Sequence, residues 1–305
     1  MLWLCIHLPR LSAEVVLRGG IAREPFVMVA GEGGRQVVVA AGPAALAEGL
    51  RPGIALSAAN ALVPGLSVFR RDEAAEAASL TRVAAWAGRF TPVVSLAPPR
   101  EALLEVAGSV RLFGGLESLM RQAGEGLREI GYTAFLAAAP TPLGASLLAR
   151  ARPGARVTGM AELGRELASV PLECLELPLE TRNALEGLGV RRFGDCLALP
   201  RAGLARRFGD ALPRFLDRAL GALSDPRERF VLPPRFDGRL ALHAEVFAAE
   251  PLLFAARRLL LELSGYLEAV GGGAAELRLT LFHRGERVTP IVVGLSSPGR
   301  EPGRL

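Results

Sequence analysis

Through its first 152 residues the chain alternates short apolar runs of strand length with alanine-rich stretches of helical length, and there the alternation stops. Apolar runs of four to eight residues bounded by Gly, Pro and polar clusters are buried-strand signals, and longer charge-spotted stretches suit helices. Residues 2–8 (LWLCIHL) read as a short buried strand. PFVMVAG (25–31) and RQVVVAAG (35–42), joined by the glycine-rich EGG, read as a β-hairpin. A helix fits Asp72–Phe90, two adjacent strands fit VVSLAPP (93–99) and EALLEVAG (101–108), and a helix fits 115–130. TAFLAAA (133–139) is a further strand, and Pro142–Arg152 a helix with proline in its first turn. Strands alternating with helices predict a layered sheet-and-helix architecture of α+β or α/β class.

From about residue 160 the pattern changes to short helices punctuated by Gly and Pro, and from about 235 it changes again. There the strand-like GRLALHAEV (238–246), the helix-like AEPLLFAARRLLLELSGYLEAV (249–270) and the strand-like AAELRLTLFHRGERVTPIVVGL (274–295) predict a small α+β module. Half of the residues are apolar, enough for a large core, and no run reaches the roughly 18 apolar residues of a membrane span. The N-terminus lacks a signal-peptide pattern, and Cys5, Cys174 and Cys196 have neither disulfide-framework nor zinc spacing. A cytoplasmic protein with no membrane association is expected.

All 36 basic residues are arginine. Residues 1–181 and 240–305 are each charge-balanced, so the net charge of +5 lies wholly in 182–239, which hold 12 Arg against 7 Asp and Glu. A localised excess is the footprint of an anionic partner such as nucleic acid, although a solvated arginine-rich helix face has the same composition. The segment LEGLGVRRFGDCLALP (185–200) lies inside it and reads as a helix, a Gly187-Leu188-Gly189 turn and a second helix starting near Phe193. A helix–hairpin–helix uses such glycines to bring backbone N–H groups and a helix N-terminus up to a phosphate; an ordinary helix C-cap also uses them. Gly187, Gly189, Arg191, Arg192, Arg201, Arg206 and Arg207 are therefore the candidate DNA-binding residues.

Several stretches together resemble the Y-family translesion DNA polymerases. They are the N-terminal strand, the hairpin, GLRPGI (49–54), FLAAAPTPLGASLLARA (135–151) and the helix–hairpin–helix followed by LALPRAGLARRFGD (197–210). LFGG (112–115) after VAGSVR and the LPRAGLARRFG phrase point more narrowly to the ImuB group, the UmuC-like polymerase relatives of bacterial damage-induced mutagenesis cassettes. The resemblance implies a palm over 1–160 with small inserted fingers at about 25–72, a thumb over 161–232 and a little finger over 233–305. Active members hold two Mg²⁺ ions with carboxylates, which activate the primer hydroxyl and neutralise the triphosphate.

In active members the first strand carries two aspartates one residue apart; those places fall here on His7 and Pro9. The Asp-Glu pair that follows a Ser-hydrophobic dipeptide is replaced after Ser95-Leu96 by Ala97 and Pro98. Pro43 and Leu46 stand where a tyrosine and an arginine hold the triphosphate, and the aromatic sugar gate falls near Ser12. Glu101 beside Arg100 is one carboxylate where a two-metal clamp needs three, and Cys5 with His7 supplies too few ligands for another metal. His243 and His283 carry no signal.

The resemblance thus implies a non-catalytic adaptor with no metal and no cofactor. Its expected partners are primer–template DNA, the sliding clamp, ImuA and an error-prone C-family polymerase. Two other readings compete: an active polymerase with displaced metal ligands, and a purely structural helix–hairpin–helix DNA-binding protein. Relatives continue beyond the point matching Leu305, and no glutamine-led clamp motif lies near the end of this sequence. A truncated, loosely packed little finger is expected from this.

Overall fold

The computed structural model describes residues 1–20, 24–32, 35–242, 246, 248–283, 285 and 287–305. In chain order its first elements are β1 (Trp3–His7), α1 (Leu11–Leu17), β2 (Phe26–Ala30), β3 (Val37–Ala41), α2 (Pro43–Ala47), α3 (Leu56–Leu62), β4 (Ser67–Arg70) and α4 (Glu73–Ala87). Next come β5 (Val94–Ala97), β6 (Glu101–Glu105), α5 (Leu116–Glu129), β7 (Phe135–Ala139), α6 (Pro142–Ala151), α7 (Met160–Ala168), α8 (Leu179–Gly187) and α9 (Phe193–Ala198). The last are α10 (Arg201–Phe208), α11 (Ala211–Leu220), α12 (Ala249–Val270), β8 (Ala274–Phe282) and β9 (Val288–Gly299). They fall into two compact units, one of residues 1–9, 93–128 and 133–231, the other of 10–92, 129–132 and 232–305.

The first unit is built on an antiparallel four-stranded sheet in the order β5-β6-β1-β7. Every residue of β1 is buried, which is why it reads as a continuous apolar run rather than an alternating one. Trp3 and Cys5, with Leu103 of β6 and Ala137 and Ala139 of β7, pack into one core with α6 and with the helices α7, α9 and α11. Helix α6 begins where Thr141 Oγ1 accepts the Gly144 amide and Pro142 fills the first turn. The same hydroxyl donates to the Ala219 carbonyl at 2.8 Å, tying α6 to the end of α11.

Both edges of this sheet are covered. On the β5 side, the Phe230 amide donates to the Val94 carbonyl at 2.7 Å and Ser95 Oγ donates to the Glu228 carbonyl at 2.6 Å. On the β7 side, Ala138 exchanges backbone hydrogen bonds of 2.9 Å with Ala155 and Val157.

In the second unit β2 and β3 form the expected antiparallel hairpin, and β4 adds parallel to the other side of β2. That third strand was not foreseen in SVFR, four residues whose exposure alternates. Helix α4 starts at Asp72, whose side chain accepts the Ala75 amide. Helix α12 runs against α4 at close range: a Cβ at Gly265 would lie 2.2 Å from Trp86 Cδ1, and one at Gly88 2.8 Å from Ala269 Cβ. Glycine at both contacts lets the backbones approach, and the contact surrounds a buried ion cluster.

At the centre of that cluster Arg18, 1% exposed, donates to the Ile130 carbonyl (2.7 Å), to Tyr132 Oη (2.5 Å) and to Glu262 of α12. Glu262 also pairs with Arg82 of α4 at 3.3 Å, and Arg258 donates to the Arg18 carbonyl at 2.6 Å.

One sequence expectation fails here. Residues 238–242 and 246 form no strand, and 243–245 lie outside the described residues. The reason is the partner: the backbone at Ala241 sits against Gly19, where a Cβ would meet the Ala241 carbonyl oxygen, and not beside β8 or β9. Among the described residues the module is therefore helix then hairpin, with β8 and β9 pairing with each other alone.

Candidate functional site

Antiparallel register places His7 and Ala97, two of the positions that the resemblance equates with metal-ligand sites, in one row with Glu101. Ala97 of β5 lies opposite Glu101 of β6, Glu101 opposite His7 of β1, and His7 opposite Phe135 of β7. Pro9 follows β1 in a turn. The row faces α6, because residues two apart on a strand share a face and Cys5 already packs there.

The one carboxylate in the row is fully engaged. Glu101, 2% exposed, receives Nδ1–H of His7 at 2.9 Å on Oε1. Arg150 of α6 reaches it with both arms, Nε to Oε1 at 2.5 Å and Nη2 to Oε2 at 2.8 Å. Arg150 extends the network through Nη1 to the Cys174 carbonyl (3.2 Å) and Glu176 (3.1 Å), and Glu176 pairs with Arg100 at 2.8 Å. Burial pushes the Glu101 pKa up, but the hydrogen bonds from His7 and Arg150 and the guanidinium charge outweigh it and bring the pKa down to about 2. Burial also raises the Cys5 thiol, assisted by the Glu101 charge, so Cys5 is an inert core thiol.

Those residues do not fit a pair of divalent ions. Two Mg²⁺ ions are held by several oxygen ligands with near-octahedral access. Here a single carboxylate is already neutralised bidentately by a guanidinium. Among the described residues no three His, Cys, Asp or Glu side chains gather so as to hold a metal. Ser12 lies in α1 and Pro43 and Leu46 lie in α2, in the second unit. His283 pairs with Thr289 Oγ1 across the β8–β9 hairpin at 3.0 Å, and His243 lies outside the described residues.

Arg150 is the participant missed by sequence reading. A signal was available: it is the one charged side chain on the buried stripe of PLGASLLARA, one turn after the buried Ser146. What it pairs with, 49 residues earlier, carries no local signature.

The helix–hairpin–helix has the expected shape. Helix α8 ends at Gly187, Gly189 takes φ +82°, where glycine is favoured, and α9 starts at Phe193. The amides of Leu188, Gly189 and Val190 donate to carbonyls at the end of α8. The amides of Arg191 and Arg192 donate to Asp195 Oδ2 at 2.9 and 3.0 Å, which lowers the Asp195 pKa. Five amides of the turn are thus engaged within the chain, so glycine gives the turn its shape, and any ligand there would be met by side chains.

Of those side chains, Arg191 donates to the Glu186 carbonyl at 3.0 Å and Arg201 pairs with Asp217. Arg192, Arg206 and Arg207 are exposed, and no ion pair engages them among the described residues. The guanidinium of Arg207 lies 5.8 Å from the centre of the Phe208 ring.

A family model described as impB/mucB/samB matches residues 11–150. The proteins named ImuB from two strains of Caulobacter vibrioides (NA1000 / CB15N and ATCC 19089 / CIP 103742 / CB 15) are each 37% identical to the chain over 259 residues. That alignment covers 84% of this chain, and the chain spans 56% of the length of those relatives. DinB from Sulfolobus solfataricus matches the structure with a TM-score of 0.60 at 17% identity, over 98% of this chain and 89% of that one. An insertion ternary complex of Dbh DNA polymerase matches at 0.61 and 17%, over 100% and 90%. The fold is that of the Y-family polymerases. No helix of the described residues is long and apolar enough to cross a membrane.

Proposed function

We propose that the chain, whose residues 11–150 match the impB/mucB/samB family model, is a non-catalytic DNA-binding adaptor in translesion synthesis and damage-induced mutagenesis, working in the cytoplasm. One observation carries the non-catalytic part: Glu101, the only carboxylate in the row where active relatives hold metal, is bound bidentately by Arg150. With that carboxylate held by a guanidinium, the row lacks the free oxygen ligands that would hold metal ions to activate a primer hydroxyl.

In this reading residues 1–160 with the 25–72 insertion serve as palm and fingers, 161–232 as thumb and 233–305 as little finger. The thumb arginines Arg191, Arg192, Arg206 and Arg207 neutralise duplex phosphates, with Gly187 and Gly189 shaping the turn that presents the first two. Arg201 contributes by exchanging Asp217 for a phosphate. Similarity to ImuB supports the sliding clamp, ImuA and an error-prone C-family polymerase as partners, with the synthesis done by that polymerase.

A labelled primer–template offered with Mg²⁺, Mn²⁺ and all four nucleotides tests this. The expected result is a shifted native-gel band and an unextended primer. Extension that disappears in Glu101→Gln would mean that the row is alive. Changing Arg191, Arg192, Arg206 and Arg207 together to alanine is expected to lower the slope of log K against log salt by about 3–4. An unchanged slope would remove the thumb assignment. Mg²⁺ with a nucleoside triphosphate is expected to leave the melting temperature unmoved, since a ligand that does not bind the native state adds no stability.

A further inference from the structure

Residues 231–242 form no helix or strand, and among the described residues none of their backbone groups enters a backbone–backbone hydrogen bond. The segment is regular all the same. Phe236, Gly238 and Leu240 are half-buried, while Arg235, Asp237, Arg239 and Ala241 are exposed. That period of two belongs to an extended chain with one side against a surface. The surface is α12.

Side chains hold the segment there. Tyr266 Oη donates to the Pro233 carbonyl at 2.9 Å, and the Phe236 ring lies 5.9 Å from the Tyr266 ring, tilted by 49°. A Cβ at Gly88, just past α4, would meet Leu232 Cδ2 at 3.8 Å. Farther along, a Cβ at Gly238 would lie 2.9 Å from Leu259 Cδ2, and the Ala241 carbonyl stops against Gly19. Leu259 and Tyr266 are seven positions apart, two turns along one face of α12. The adjoining face, with Glu262, Gly265 and Ala269, is the one that meets α4. Helix α12 is gripped by a helix on one face and by an extended segment on the next.

The two grips differ in kind. An extended segment without backbone hydrogen bonds is kept in place by its side-chain contacts alone, and such a segment opens at the low end of the range of local stabilities. Its largest contact is aromatic, Phe236 on Tyr266, a pairing that contributes beyond its buried area. We infer that residues 232–241 are a strap with two states: seated, when Phe236 packs on Tyr266 and α12 is held on α4, and released, when the whole segment comes away from α12. This device is independent of the DNA-binding reading. Arg235 and Arg239, exposed on its outer side, report which state is populated, because a protease cleaves the opened segment.

The test follows trypsin cleavage after Arg235 and Arg239 by mass spectrometry, together with amide hydrogen exchange, in the full chain as wild type, Phe236→Ala and Tyr266→Phe. A synthetic peptide of residues 229–242 serves as the unseated reference. The wild type is expected to be cut at these two bonds at least tenfold more slowly than the peptide. Phe236→Ala is expected to lose most of that protection and to exchange faster across 259–270, with the β5-β6-β1-β7 sheet unchanged. Tyr266→Phe, which gives up only the hydrogen bond to Pro233, is expected to show smaller rises in both. Wild-type cleavage as fast as that of the peptide overturns the inference. So does faster cleavage in Phe236→Ala with unchanged exchange in α12, since the segment would then rest on the helix without holding it. Faster exchange throughout the sheet in Phe236→Ala overturns it as well, because a strap predicts a local release.

Discussion

Arg150→Ala is expected to destabilise the first unit by about 3–5 kcal/mol at neutral pH, the usual cost of removing one partner from a buried ion pair. On a unit of this size that is a fall in melting temperature of roughly 10 °C. The loss comes less from the attraction removed than from Glu101 left charged, 2% exposed, with His7 as its remaining partner in the row. The pH dependence identifies the cause. The folded Glu101 pKa, about 2, is below the unfolded value of about 4.3. Its stabilisation is therefore present above pH 4.3 and lost as pH falls from there towards 2. In Arg150→Ala that window moves upward, so the difference between the two proteins narrows in acid. Denaturant unfolding of both proteins between pH 3 and 7 measures this. A difference below 1 kcal/mol at pH 7 would show the network to be ornamental. Arg150→Met with Glu101→Leu is expected to recover most of the loss, because an apolar pair of similar volume leaves no buried charge.

Glu262→Ala is the matching expectation for the second unit. It strands Arg18, whose remaining partners are the Ile130 carbonyl and Tyr132 Oη, and costs about 3–5 kcal/mol by the same reasoning. Its second readout is local. Helix α12 is held along α4 by the Gly265–Trp86 contact and by this carboxylate. Amide hydrogen exchange in α12 is expected to rise well before that of the β5-β6-β1-β7 sheet. Equal protection of α12 in variant and wild type would mean that the apolar contact alone holds the helix.

Much of the fold was legible because it is written locally. The β2–β3 hairpin, the α6 start at Thr141-Pro142 and the Gly187-Leu188-Gly189 turn all announce themselves within a few residues. Interactions that close over long separations were not legible. Arg18 and Glu262 meet across 244 positions, and β4 joins β2 through a parallel pairing that no hairpin signal marks. The candidate site divides in the same way. The identities at His7, Pro9 and Ala97 could be read one at a time, but the side chain that engages Glu101, Arg150, belongs to a helix whose composition looks like ordinary core. The strand expected over 238–246 illustrates the converse: local apolar alternation proposes a strand, and only a neighbour with free backbone groups makes one.

The covered edge of β5 also fixes a sequence of events during synthesis. The strand ends at Ala97, yet the Val94 carbonyl and the Ser95 hydroxyl meet their partners only when Phe230 and Glu228 exist. At about 5–20 residues per second that interval lasts some seconds to half a minute, during which a nascent sheet has an open margin able to pair with a neighbouring chain. Crowded polysomes are therefore the setting in which this protein is most exposed to misassembly, and residues 228–230 are the stitch that ends the hazard.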